Sequence, residues 1–91
     1  MNNKVILESL AMDLRRVALG LHRGSISMSE RFMEEALKRK RELDIKSLKP
    51  YVQKLIFRME DSLKDTDKQK KAEDALMYST LFQNIALKIR D

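Results

Sequence analysis

The sequence predicts an all-α fold, an antiparallel up-down-up-down four-helix bundle. Three observations carry that expectation. Apolar residues recur at helical rather than strand spacing in four segments. The three connections between those segments are short, which returns each helix against its predecessor. Glycine (2) and proline (1) are scarce while charged residues make up 36% of the chain, as expected of helices with one buried and one solvated face.

The first helix is expected over about 3–22. Ile6, Leu7, Leu10, Ala11, Leu14, Val17, Ala18 and Leu21 share one face, with Glu8, Asp13, Arg15 and Arg16 beside or opposite it. Gly20 weakens the last turn by about 1 kcal/mol relative to alanine, and Gly24 is suited to the left-handed residue that ends a helix. Ser27 and Glu30 have the spacing of a capping box, so the second helix is placed at 28–43 with Phe32, Met33, Ala36, Leu37 and Leu43 inward. Lys40 falls in that apolar arc and must lie at the helix end or snorkel past the core.

Asp44-Ile45-Lys46 reads as a turn. Ser47 is the expected N-cap of a third helix over 47–63, with Pro50 in its first turn and Leu48, Tyr51, Val52, Leu55, Ile56, Met59 and Leu63 as its stripe. Thr66 and Gln69 repeat the capping-box spacing ahead of the longest helix, 67–90. At 100° per residue Ala75, Tyr78, Leu81, Phe82, Ile85, Ala86 and Ile89 occupy an arc of roughly 140°, leaving Ser79, Thr80, Gln83, Asn84 and Lys88 outside it. Residues 1–91 are expected to form one domain, at the small end of what buries a self-sufficient core.

Composition excludes several classes of function. Without cysteine the chain has no disulfide framework, thiolate nucleophile or thiolate metal site. Residues 1–12 lack signal-peptide architecture, and no apolar run approaches the ~20 residues of a membrane span. A soluble, cytoplasmic protein with no membrane contact is therefore expected. The net charge of +5 is spread evenly: Lys+Arg against Asp+Glu is 4 to 2 over 1–24, 6 to 5 over 25–46, 4 to 3 over 47–65 and 5 to 4 over 66–91. The only basic run, Lys38-Arg39-Lys40-Arg41, is the candidate contact for nucleic acid. Wound on a helix its four residues diverge, and Glu34, Glu35 and Glu42 offset its charge.

No cofactor or metal is expected. Carboxylate-bridged metal bundles use Glu-x-x-His from two helices, whereas the single histidine, His22, has Leu19 three residues before it. No Gly-x-Ser-x-Gly elbow or phosphate-cradling glycine loop is present. The segment Arg16-Val17-Ala18-Leu19-Gly20-Leu21-His22 separates arginine from histidine by five residues, and Arg15 gives a separation of six. This resembles the loose Arg-x(4–6)-His motif of HEPN domains, helical bundles that include dimeric, metal-independent ribonucleases. The resemblance implies that arginine would stabilise phosphorane charge while histidine moves a proton from the 2′-hydroxyl. Arg15 and His22 share a helix face, whereas Arg16 lies about 120° from His22. The plainer account of His22 is a helix C-terminal residue favourable to the dipole.

Some apolar residues fall off the core faces. Val5, Met12 and Leu19 recur every seven residues on the side of the first helix away from its main stripe; Leu76 and Leu87 recur on the last helix, and Phe57 lies opposite the core face of the third. Seven-residue spacing returns a side chain to nearly the same azimuth, as a second packing surface requires. These six residues are the candidate contact surface for a homodimer or another protein. The expected function is a non-catalytic helical interaction module, of the size and build of small adaptors, accessory subunits and antitoxin or immunity proteins. A ribonuclease using Arg15 or Arg16 with His22, and a nucleic-acid-binding helical protein, are the alternatives.

Overall fold

A computed structural model of the protein describes residues 2–89. Among them are four α-helices and no strand: α1 (Asn3–His22), α2 (Ile26–Glu42), α3 (Pro50–Ser62) and α4 (Lys68–Lys88), with a 3-10 helix at Ile45–Ser47 ahead of α3. The helices run up-down-up-down within an outline of 38 × 20 × 20 Å. Hydrogen bonds between residues distant in sequence fix the directions. The Asn3 side chain accepts from Asp44 N (2.9 Å) and donates to its carbonyl (3.0 Å), joining the start of α1 to the end of α2. Lys4 Nζ donates to the carbonyl of Ala86 (2.8 Å), so a cation meets the negative end of the α4 dipole.

Small residues at seven-residue spacing let α1 approach both neighbours closely. Toward α4 it presents Ala11 and Ala18 against buried Ala75, Ser79 and Ala86, and Ser79 Oγ donates to the Ala11 carbonyl at 2.7 Å. Toward α2, a Cβ added at Gly20 would stand 2.9 Å from Ser29 N and 3.2 Å from its Cα. The larger core residues, Leu7, Leu10, Leu14, Val17, Ile56, Met59 and Phe82, are almost fully buried between α1, α3 and α4. Packing over long side chains keeps α3 farther from its neighbours than α2 and α4 stand from α1.

Helix ends account for most departures from the sequence expectations. Gly24 closes α1 at φ +73°, as anticipated: its N–H reaches Leu21 O while Ser25 N reaches Gly20 O, a Schellman motif. So short a closure starts α2 at Ile26, two residues early, with Ser25 at the N-cap. Ser27 therefore lies inside the first turn, where the Ser27–Glu30 capping box cannot form. Ser47 is not the N-cap of α3. It sits in the 3-10 helix and its hydroxyl donates to Asp44 Oδ2, because Pro50 holds the preceding Lys49 in extended backbone (ψ 148°) and α3 starts only at the proline. Asp67, not Thr66, caps α4: its carboxylate accepts from Gln69 N and Lys70 N, a bonding pattern that favours aspartate at this position. The last residue expected in that helix, Arg90, lies outside the described residues.

Three burial expectations are also corrected. Ser79, assigned to the polar side of α4, is buried because its small size and its bond to Ala11 suit the close α1 contact. Asp13, read as lying beside the core face of α1, is buried where α1 faces α2. Tyr51, included in the stripe of α3, is exposed; the buried line follows Val52, Ile56 and Met59, one position aside from it. Lys40 does snorkel: its ammonium meets Glu60 at 2.9 Å and lies over the Phe57 ring.

Gly20→Ala opposes helix propensity to packing. Alanine gains about 1 kcal/mol in an exposed helix, but here its Cβ meets the Ser29 backbone. We expect a net loss of about 1–3 kcal/mol, read as a lower midpoint in urea; a raised midpoint would show that α1 and α2 are not this close.

Candidate functional site

All six apolar residues singled out from the sequence are exposed, Met12 by 54%, Leu76 by 51% and Leu87 by 72%. Five of them share one side of the molecule. Leu19 and Leu76 line an open groove of about 500 Å³ between α1 and α4, together with Arg15, His22, Ala72 and Glu73. Met12 and Leu87 line the adjoining groove with Glu8 and Gln83. Val5 continues the α1 row one heptad before Met12. The structure thus joins the α1 row and the α4 leucines into one face, which spans most of the bundle's length.

Phe57 does not belong to it. It projects from α3, where Lys40 of α2 covers its ring at 5.2 Å, a cation–π contact. Hydrogen bonding to that same lysine holds the Glu60 carboxyl below the usual carboxylate range. Two exposed apolar residues escaped the sequence reading, Ile26 and Met77. Ile26 falls in the connection expected before α2, and Met77 has Lys70 and Asn84 seven residues to either side, so neither is marked by an outward apolar row.

Of the two arginines paired with His22 in the sequence, only Arg15 stays beside it. Arg15 and His22 line the same groove, near Glu73. Arg16 turns away toward α2, where its guanidinium stands 5.3 Å from the Phe32 ring centre and 3.8 Å from Asp13. The basic run is split as well. Arg39 pairs with Glu42 at 3.0 Å and approaches Asp13 at 3.8 Å, Lys40 is held by Glu60, and Lys38 and Arg41 are exposed. The four cations do not form one basic face. Among the described residues, no group of three His, Cys, Asp or Glu could hold a metal ion, and no helix is long and apolar enough to cross a membrane.

Asp13 is a buried carboxylate whose environment opposes its charge. Burial raises its pKa, and nearby Glu35 adds to the rise, while Arg39 and Arg16 act against both. Its Oδ2 has no hydrogen bond, nor does Arg39 Nε facing it. The pair sits about 100° around α1 from the Met12 row, on the side away from α4, and contributes to the α1–α2 contact. Comparison of the chain with protein-family models, with curated proteins and with solved structures finds no significant match.

Because the folded pKa of Asp13 is raised, its contribution to stability is fully present below the unfolded value of about 3.9 and is lost as pH rises through the folded value. Asp13→Asn is expected to flatten that decline. Urea unfolding at pH 4.5 and pH 7 compares the two proteins, and an unaltered pH dependence in the variant would assign the titration to another group.

Proposed function

We propose that the chain is a non-catalytic helical interaction module that self-associates as a homodimer through the outer face of α1 and α4. The observation that supports this reading is the row Val5, Met12 and Leu19. The other sides of α1 are covered by α2, α4 and the core, and this side alone carries apolar residues to solvent at a constant azimuth. Exposed apolar residues scattered singly need no explanation, but contiguous ones on one face mark an interaction site. Burying each such side chain contributes about 1.5–3 kcal/mol, and the charged residues among them set orientation. An adaptor, accessory or antitoxin-like role in the cytoplasm suits a small, cysteine-free bundle of this kind.

Light scattering over a range of concentrations tests the reading. The parent is expected to approach twice its 10.7 kDa mass, and Met12→Lys to remain monomeric with unchanged helicity. A parent that stays monomeric throughout would remove self-association.

A second reading rests on Arg15 and His22 lining one groove, where they would serve as charge stabiliser and proton carrier for RNA cleavage. Glu73 in the same groove would offset the arginine's attraction for phosphate. The interaction reading expects no cleavage of a generic RNA by the parent. Cleavage that His22→Ala abolishes would establish the enzyme instead.

A further inference from the structure

We infer that the second copy docks antiparallel on α1, about a two-fold axis that passes beside Met12 perpendicular to the helix. The inference rests on the self-association proposed above and adds its geometry. The outward side of α1 reads Val5, Glu8, Met12, Arg15, Leu19, with Met12 at the midpoint of the helix Asn3–His22. Val5 and Leu19 lie seven residues to either side of it. A two-fold axis at Met12 therefore places Val5 of each copy on Leu19 of the other and the two Met12 side chains on each other.

The charges obey the same operator. Glu8 lies four residues before Met12 and Arg15 three residues after it, on the same flank of α1, the one that turns toward α4. Rotation about an axis perpendicular to the helix preserves that flank and inverts the direction of the chain. Glu8 of each copy then stands about one residue rise, ~1.5 Å, from the level of Arg15 of the second copy, and the pair occurs twice. A parallel two-fold would instead set Glu8 level with Glu8 and Arg15 level with Arg15 on opposite flanks of the contact, where neither charge meets an opposite one. An isologous contact must be self-complementary, and this sequence of apolar, acidic, apolar, basic and apolar residues is so only when antiparallel.

The side that carries the row measures at most 38 × 20 Å, so a standard interface of roughly 800 Å² per partner would take up the whole of it. Leu76 and Leu87, beside the α1 row, extend the apolar part of the contact onto α4.

Absence of cysteine makes thiol cross-linking unambiguous. Met12→Cys treated with a short bismaleimide, whose reach tolerates the about 8–10 Å between packed helix axes, is expected to give a covalent dimer. A mixture of Val5→Cys and Leu19→Cys is expected to cross-link faster than either alone, while Phe57→Cys stays monomeric on a denaturing gel. Separately, Glu8→Arg and Arg15→Glu should each weaken dimerisation about tenfold, and the double exchange should restore it to near the parent value. Circular dichroism of each variant confirms the helical fold. A parent that dimerises by light scattering but whose Met12→Cys does not cross-link overturns the geometry while leaving self-association intact. Preferential cross-linking of Val5→Cys with Met12→Cys would do the same by fixing another register. A parent monomeric at every concentration defeats both readings.

Discussion

The bundle depends on the close approach of α1 to two neighbours at once. Ala11 and Ala18, seven residues apart, admit α4, and Gly20 admits Ser29 of α2. Contacts this close leave no room for bulk at the seams, so the volume of the core is supplied elsewhere, by Leu10, Leu14, Ile56, Met59 and Phe82. The consequence is an unequal bundle. One helix is central to the packing of two others, and α3 closes the structure from a greater distance over longer side chains. Connections follow from the same constraint: a Schellman closure of three residues suffices between α1 and α2, whereas the wider passage to α3 takes the 3-10 helix and an extended Lys49.

A helix covered on three sides has one side left. On α1 that side carries Val5, Met12 and Leu19, with Glu8 and Arg15 between them on the α4 flank. In a helix with no further contact, polar residues would serve better at all three apolar positions. The interspersed charges explain how such a face can remain hydrated in a free chain. They also restrict what can cover it, because a partner must present opposite charges at matching levels. This links the packing of the bundle to the functional proposal: the covered sides of α1 fix its orientation, and its orientation fixes which residues face outward.

The sequence made the apolar arcs legible because large aliphatic residues dominate a 3.6-residue period. Ile6, Leu7, Leu10, Val52, Ile56 and Phe82 lie where that period places them. It failed on Ser79, which the close α1–α4 seam selects for small size and for its bond to the Ala11 carbonyl, and on Asp13, which is buried facing Arg39 and Arg16, because hydropathy scores both as surface. Caps failed differently. Three serines or threonines stood near the expected helix starts, but a tight glycine closure, the pre-proline restriction and a nearby aspartate each shifted the start by one to three residues. For the candidate face, the α1 row was legible from azimuth alone. That Leu76 and Leu87 adjoin it, and that Phe57 does not, depends on which sides of α1, α3 and α4 turn outward, and hence on tertiary packing.

Asp13 shows how the covered and uncovered flanks of α1 divide their tasks. On the α2 flank a carboxylate is buried against Arg39 and Arg16 at 3.8 Å, too far for direct hydrogen bonds. Such an arrangement recovers only part of the cost of burying charge, so its value to the fold is weak as stability. It is stronger as register, since sliding α2 by one turn would carry Arg39 about 5.4 Å away and leave the carboxylate with Arg16 as its only cation. On the outward flank Glu8 and Arg15 remain in solvent, where an ion pair costs little to form and contributes little in isolation. The inner pair therefore suits fixing how α2 lies on α1, whereas in the proposed dimer the outer charges would set orientation and the apolar row the affinity.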